Sequence, residues 1–395
     1  VLNFTFFGEN NRDIQYNKQN ILMDNGDKNS NNDDDFNNVN QNNNNLLNNK
    51  THEKYYEPYN RSLLTMTNSS FISSRYGYEV EKLSSFDTGE NEISGLFSFS
   101  HMIYGKTVYA ISFSRGFTQV LELSEDGSKI GVLNDPIIRT DICSIGFCSL
   151  DPYFLFQFYK DGFIMYSQTN QRDKQFKDLT IVNFTSTKNE LFIIFSNQKG
   201  LYIITEKSEL HLSAIFDLPF EATSVAFIDD TDYAIFATKD QMLYIADVTM
   251  DVQNIHFTQM SKVPSVPVSL QFTYKKKLLI GFEDGTVAAG SVDVVSKMMR
   301  DTVLISIGNL PVRFSSDDFM LSSRMYKIPK ENDIVNMFQL NNDINPEYAV
   351  AMYFDQYLMA TKYKVYAMKI KGKDPKMQNI RYEIKDTIIE CIPIK

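Results

Sequence analysis

Histidine is the residue type that most often serves as a general base or a metal ligand in proteins. This sequence has four histidines, His52, His101, His211 and His256, which lie far apart along the chain. None of them has a carboxylate or a cysteine at a spacing typical of zinc ligands. This distribution predicts neither a metal site nor a histidine-dependent catalytic site.

The cysteines are equally few, namely Cys143, Cys148 and Cys391. Three scattered cysteines cannot form a disulfide framework, so they indicate a reducing compartment. Cys143 and Cys148 are five positions apart in a predicted strand, which places them on opposite faces. We therefore interpret them as buried or half-buried core thiols, not as a shared metal site or a disulfide.

Two Asp-Gly pairs, Asp161-Gly162 and Asp284-Gly285, are the candidates for paired acidic chemistry. Each lies where a tight hairpin turn needs a residue with positive φ, so turn formation explains both pairs. The sequence contains no phosphate-binding loop, dinucleotide fingerprint or Gly-X-Ser-X-Gly motif. We predict that the protein is not an enzyme, and we assign it no catalytic residues, cofactor, metal or small-molecule substrate.

Basic residues form two stretches, Lys275-Lys276-Lys277 and the looser set Lys364, Lys369, Lys371, Lys373 and Lys376. The second stretch could touch a phosphate backbone, but we interpret both as solvated loops. The formal net charge of -10 and the pI near 5.1 provide no strong counterion-release term for nucleic-acid binding. Any contact with RNA or DNA is therefore expected to be indirect.

The composition indicates a protein with a real core, since 43% of residues are hydrophobic and the chain has 30 Phe and 22 Tyr. No apolar run approaches the roughly 18 residues that a membrane helix needs, so we expect no membrane segment. The N-terminus lacks a signal-peptide pattern and so indicates no secretory address, and the sequence leaves open whether the chain is a fragment of a longer protein.

An Asn-rich segment divides the sequence. Residues 25–50 have thirteen Asn and an Asp run at 33–35, with little apolar surface to bury, so they predict a disordered insert. Residues 1–24 are interpreted as the end of a preceding domain or a linker. Residues 70–395 are predicted to form one all-β domain, because short β-rich runs alternate there with Gly, Asp, Asn and Lys turns.

A repeat within this domain favours one architecture. The strongest hairpins span residues 107–123, 154–167, 191–205, 233–248, 278–292, 319–328 and 357–370. Their turn markers are Gly116, Gly162, Gly200, Gln241, Gly285, Arg324 and Tyr363, at separations of 46, 38, 41, 44, 39 and 39 residues. This is the period of a four-stranded propeller blade.

We therefore predict a β-propeller of about seven blades, in which each hairpin supplies two buried central strands and a weaker strand lies on either side. The sequence has no Trp, so the propeller lacks the Trp-Asp signature and its blades must cohere through Phe, Tyr and aliphatic packing. A β-sandwich is the alternative fold. A propeller enzyme, a hydrolase or lyase, would need carboxylates, a His or a metal converging on the central channel.

Several segments resemble the large triple-propeller proteins that include splicing factor 3b subunit 3, the damage-specific DNA-binding protein large subunit and the cleavage and polyadenylation specificity factor large subunit. Residues 70–77 match that family's Ser-Leu-Arg-x-x-Arg-x-Gly opening of the second propeller at Ser70, Arg75 and Gly77. Residues 111–121 resemble the next strand pair with one extra turn residue. Residues 278–312 are similar to the segment that carries the family's Gly-x-x-Pro.

This resemblance implies the second propeller of a nuclear scaffold that binds protein partners in a multisubunit complex. Residues 159–162, 179–182 and 322–324 are similar to the splicing subunit, which implies a HEAT-repeat splicing partner. Residues 324–370 fit the DNA-damage subunit equally well, so an adapter of a cullin-type ubiquitin ligase is the alternative, and a cleavage and polyadenylation subunit is a third. The Asn-rich insert departs from the family pattern, and the family's third propeller is missing.

Overall fold

The computed structural model describes residues 65–67 and 78–371, apart from 102–105, 169, 207, 229–230, 274–275, 316–318, 324, 329–337, 342–343, 345 and 353–354. The predictions for residues 1–24 and 25–50 lie outside this part of the chain. The described residues form seven small sheets in a ring, a seven-bladed β-propeller, which confirms the predicted fold class. Among them, no helix is long and apolar enough to span a membrane.

Strands are numbered in chain order, from β1 (Thr65–Thr67) and β2 (Tyr78–Asp87). The strands of each blade are given from the innermost outward. Blade 1 has β3 (Ile93–His101), β4 (Lys106–Phe113), β5 (Phe117–Leu123) and β6 (Ile130–Val132), and blade 2 has β7 (Ser144–Leu150), β8 (Phe154–Tyr159), β9 (Gly162–Tyr166) and β10 (Gln171–Gln175). Blade 3 has β11 (Ile181–Ser186), β12 (Glu190–Phe195), β13 (Lys199–Glu206) and β14 (Glu209–Leu212), with β15 (Phe216–Asp217) also paired to β13, and blade 4 has β16 (Ala222–Phe227), β17 (Tyr233–Thr238), β18 (Met242–Asp247) and β19 (Phe257–Lys262).

In blade 4, a 3-10 turn at Val252–Asn254 precedes β19. Blades 5 to 7 have the same order of strands from the innermost outward. Their strands are β20 (Pro267–Phe272), β21 (Lys277–Phe282), β22 (Thr286–Asp293) and β23 (Met298–Ser306); β24 (Arg313–Ser315), β25 (Phe319–Leu321), β26 (Met325–Lys327) and β27 (Phe338–Asn341); and β28 (Tyr348–Ala351), β29 (Gln356–Ala360) and β30 (Lys364–Lys371), with β2 as the outermost strand of blade 7.

The ring closes through β2, which precedes blade 1 in the chain but completes blade 7. It pairs antiparallel with β30, from Glu79 opposite Lys371 to Asp87 opposite Lys364. The innermost strand of every blade contacts that of the next, and β28 of blade 7 contacts β3 of blade 1. Closure removes the exposed edges that an open stack of blades would leave. The sequence alone left ring closure open.

All seven predicted hairpins are present as the two middle strands of the blades. Two of the turn markers are wrong. Gly200 lies inside β13, where the turn is made by Asn197 and Gln198, both at positive φ, and Gly162 is already the first residue of β9. The marker Arg324 lies outside the described residues. Gly200 is needed for space instead, since a Cβ there would be 2.9 Å from the Phe216 ring. The outermost strands are weaker, as predicted, but the innermost strands are nearly as buried as the middle ones.

Aromatic rings join the first three blades. Phe99 stacks on Phe147 across blades 1 and 2, with ring centroids 4.5 Å apart, and Phe158 stacks on Phe184 of blade 3 at 4.0 Å. These rings belong to one buried cluster with aliphatic side chains from the same three blades. The predicted cohesion by Phe, Tyr and aliphatic packing is therefore confirmed.

Blades 4 to 6 are also joined by hydroxyl groups on their innermost strands. Each innermost strand of blades 1 to 5 has a register shift near its start, which is a β-bulge or similar irregularity. Thr223 donates to the carbonyl of Pro267 at 2.6 Å, and the Ser269 hydroxyl donates to the carbonyl of Val312 at 2.7 Å. Each bond joins a hydroxyl group of one blade to a backbone carbonyl of the next blade.

Candidate interaction face

The histidines are not brought together. His211 is exposed on β14 in blade 3, His256 is exposed just before β19 in blade 4, and His101 ends β3 in blade 1. His52 lies outside the described residues. Over the part of the chain that the structure describes, no three His, Cys, Asp or Glu side chains are grouped so that they could hold a metal ion.

The two described cysteines lie at different depths in blade 2. Cys148 is buried in β7, where burial raises the pKa of its thiol far above the usual value, so it is a core thiol as predicted. Cys143 lies before β7 and not within the strand, which corrects the sequence interpretation. It is half-buried, with its Sγ 3.5 Å from Ser94 Oγ. Cys391 lies outside the described residues.

The two Asp-Gly pairs differ in their turns. Gly285 has φ 86° at the hairpin tip of blade 5, and Asp284 Oδ1 accepts from the backbone N–H of Thr286 at 3.0 Å, as the turn interpretation predicts. The positive φ predicted for the other pair is wrong, because Gly162 is already the first residue of β9. A Cβ at Gly162 would lie 2.4 Å from the Lys174 carbonyl oxygen, so packing explains this glycine.

The C-terminal lysines were predicted to lie in solvated loops, and this is wrong for three of them. Lys364, Lys369 and Lys371 belong to strand β30. They form ion pairs with Asp87, Asp355 and Glu81 at 3.1, 3.9 and 3.8 Å. Two of these partners come from β2, so the lysines mark the closing seam of the ring. The loop prediction is also wrong for Lys277, which is the first residue of β21. Lys275, Lys373 and Lys376 lie outside the described residues.

The ring has two faces of different construction. Because the strands of each blade alternate in direction, the connections between blades emerge on the same side as the turns between the two middle strands. We call this side the connector face. The other side, called the opposite face, has the turns that join the inner two and the outer two strands of each blade.

On the connector face, backbone hydrogen bonds fasten the middle-strand turns to the connections beside them. Ser114 N–H donates to the Glu92 carbonyl at 2.9 Å in blade 1, and Lys239 N–H donates to the Glu221 carbonyl at 3.0 Å in blade 4. The same pattern recurs around the ring, as between Leu218 N–H and the Gln198 carbonyl at 2.7 Å. Turns fastened in this way lose little further conformational entropy on binding a partner.

A buried polar network fixes the longest described connection, residues 133–143. Gln157 is fully buried, and its Nε2 donates to the Arg139 carbonyl at 2.7 Å and to Ser144 Oγ at 2.8 Å. The Gln157 Oε1 accepts from the Tyr166 hydroxyl at 2.6 Å and from Arg139 N–H at 3.1 Å. Both ends of one amide are thus satisfied, which anchors the connection to the blade 2 core.

The connector face is acidic. Among the described residues its carboxylates are Glu90, Glu92, Asp135, Asp141, Asp161, Asp178, Asp217, Glu221, Asp240, Glu283, Asp284 and Glu347. Its cations are Arg115, Arg139, Lys160, Lys177, Lys199, Lys239 and Lys362, and Lys199 pairs with Asp217. The numbers of carboxylates and cations are more nearly equal in the described turns of the opposite face. Its carboxylates are Glu125, Asp126, Asp151, Asp232, Asp251 and Asp355, and its cations are Lys129, Lys188, Lys276 and Lys297.

Ion pairs neutralise some of these carboxylates. Lys239 pairs with Glu221 at 3.1 Å, and the Arg139 guanidinium pairs with Asp141 at 2.9 Å. The hydrogen bond from Arg139 lowers the pKa of Asp141 below its usual value. Such exposed pairs contribute little stability, so their main effect is on the surface charge pattern.

Exposed apolar side chains are set into the same face. Ile137, Ile215 and Leu310 belong to three different inter-blade connections, with exposed fractions of 40%, 41% and 52%, and Tyr363 lies in the blade 7 turn. Apolar groups on a rigid acidic rim are typical of protein-binding surfaces. The structure therefore shows a candidate interaction face where the sequence indicated only turns.

Sequence reasoning missed this face, although one signal was available. Many of the inter-blade connections contain a proline, at Pro136, Pro219, Pro264, Pro311 and Pro346. Proline fixes φ and stiffens a loop, so a repeated proline between hairpins indicates connections with a defined shape.

No protein-family model and no curated protein matches this chain. The resemblance of residues 111–121 and 278–312 to the triple-propeller proteins therefore stays a prediction. Those residues lie in blade 1 and in blade 5 with its following connection, whereas residues 70–77 lie outside the described part.

Proposed function

We propose that this protein is a non-catalytic scaffold that binds protein partners in a multisubunit complex through its connector face. The observation that carries the proposal is the combination, on one rigid face, of fastened turns, an excess of carboxylates and exposed Ile137, Ile215 and Leu310. Preorganised apolar side chains within a polar rim lower the entropic cost of association.

The complex that we propose is a nuclear one that processes nucleic acid, and within that class a splicing factor 3b-like assembly with a HEAT-repeat partner. Support for this finer assignment comes from the resemblance of residues 159–162, 179–182 and 322–324 to the splicing subunit. The acidic connector face supports indirect contact with RNA, because a phosphate backbone would meet carboxylates there.

A cullin-type ligase adapter is the second candidate, supported by residues 324–370. This region includes part of blade 6 and blade 7, whose outer strand β2 also pairs in parallel with β27 of blade 6. A cullin partner would therefore dock on a region held together across two blades.

Affinity purification of the full-length protein from its own cells, followed by mass spectrometry, separates these functions. The splicing proposal predicts recovery of HEAT-repeat and RNA-binding subunits of the U2-associated machinery. Recovery of a cullin and substrate receptors would replace it with the ligase adapter. Recovery of no stoichiometric protein partner would contradict the scaffold proposal itself.

A further inference from the structure

The hairpin turn of blade 5 differs from the other described middle-strand turns because it has two adjacent carboxylates, Glu283 and Asp284. Both side chains are exposed. The other described turns have a cation, as at Lys239 in blade 4 and Lys362 in blade 7, or are uncharged. Among the described residues, no Lys or Arg forms an ion pair with either of these carboxylates.

Two uncharged connections enclose this acidic turn. Residues 263–266 lie on one side, where Glu283 N–H donates to the Val266 carbonyl at 3.0 Å. Residues 307–312 lie on the other side, where Ile307 N–H donates to the Gly285 carbonyl at 3.0 Å. A Cβ at Gly285 would be 2.3 Å from the Gly308 carbonyl oxygen, so the backbones of the turn and the connection are in contact.

An exposed leucine completes this arrangement. Leu310 is 52% exposed, and its carbonyl accepts from the Ser322 hydroxyl at 2.7 Å, which ties the connection to blade 6. Pro264 and Pro311 stiffen the two connections. Leu310 therefore belongs to a connection whose backbone contacts the turn that has the two carboxylates.

We propose that Glu283, Asp284 and Leu310 form a docking site for a protein segment in which Lys or Arg residues flank a large apolar side chain. Charge complementarity selects this partner, because the site and the face around it have an excess of carboxylates. The partner's apolar side chain would pack on Leu310 while its cations approach the carboxylates. The inference rests on the proposed scaffold function and names the partner chemistry that one sector of the connector face binds.

The test is selection of a random 12-residue peptide display library on the immobilised full-length chain. We expect enriched peptides that contain Lys or Arg beside apolar residues. The variant E283K/D284N/L310S should weaken binding of a selected peptide at least tenfold, and raising the salt concentration should also weaken it. Asn at position 284 keeps a side-chain acceptor for Thr286, so the turn stays formed.

The control variant on the opposite face is E125K/D126N/V295S, which changes the acidic turn of blade 1 and the exposed Val295 in the turn between β22 and β23 of blade 5. It removes the same number of carboxylates and an exposed apolar side chain, and it should change peptide affinity less than twofold. Enrichment of peptides without basic residues, no enrichment, or equal loss in both variants would overturn the site. If basic peptides bind through Glu283 but the chain recovers no partner from cells, the scaffold proposal fails and the docking site stands.

Discussion

The two faces of the propeller are built from the same seven sheets but have different surfaces. On the connector face, backbone hydrogen bonds join the turns to the inter-blade connections in a similar way in several blades. Exposed apolar side chains such as Ile137 and Leu310 lie on the same face as the carboxylates. The opposite face has a more balanced set of charges, and its most exposed apolar residue, Val295 at 95%, is at the tip of a single hairpin.

This difference shows how a repeated fold can give its two sides different surfaces. The connector face lies where the chain passes from blade to blade, so each turn there has a covalent neighbour on which it can be fastened. Turns on the opposite face join strands of one blade, and some of them are also bonded to a neighbouring blade, as between Asp151 N–H and the Lys188 carbonyl at 2.6 Å. Because the backbone of the connector face is already ordered, binding a partner there loses little further conformational entropy.

The largest expected effect comes from glycine substitutions on the two faces. G285A should lower the free energy of unfolding by about 3 kcal/mol, because φ is 86° and the new Cβ would meet the Gly308 backbone. G127A is the control on the opposite face, with φ 70° and a Cβ 2.9 Å from the movable Leu83 side chain. It should cost about 1 kcal/mol.

Urea unfolding monitored by circular dichroism measures both variants. Equal losses for the two substitutions would contradict the claim that the connector face is the more tightly fastened side.

The second effect concerns the polar anchor of the connector face. Q157L should cost about 2 kcal/mol, since it leaves the Arg139 carbonyl and the Tyr166 hydroxyl without their buried amide partner. On the opposite side, S84A removes a hydroxyl that donates to the Gly127 carbonyl at 2.6 Å and should cost about 1 kcal/mol.

Hydrogen exchange locates these changes. Q157L should increase exchange in residues 133–143, and an increase spread evenly over both faces would show that Gln157 does not anchor that connection specifically.

The smallest effect is a pH dependence. Hydrogen bonds from the Ser128 backbone and the Ser124 hydroxyl lower the pKa of Asp126 on the opposite face to about 2. The folded value lies below the unfolded value of about 3.9, so the stability contributed by this carboxylate is present above about pH 4 and lost as the pH falls toward 2. The Asp141 pKa is lowered as well, on the connector face.

Carboxyl NMR titration measures both groups. A midpoint near the unfolded value for Asp126 would mean that its turn is not ordered in solution, and the D126N variant should remove part of the acid sensitivity of folding.

The hairpins were predictable because they depend on local pattern. The middle strands are continuous apolar runs, such as residues 191–195, bounded by turn residues within ten positions. Gly200 was misassigned because Asn197 and Gln198 adopt positive φ without glycine, whereas Gly200 is small to admit the Phe216 ring.

Ring closure and the site were less predictable because they depend on contacts between distant parts of the chain. Strand β2 pairs with β30, so Lys364 and Lys371 look like loop residues until their partners Asp87 and Glu81 are placed beside them. The position of Leu310 on the connector face likewise cannot be recognised until its connection is placed beside the acidic turn of blade 5.

Cross-linking mass spectrometry of the complex purified from cells, with a lysine-reactive reagent, tests most directly whether partners bind the connector face. The account predicts partner cross-links at the connector-face lysines Lys160, Lys177, Lys239 and Lys362. Partner cross-links confined to Lys129, Lys188, Lys276 and Lys297 of the opposite face would contradict it.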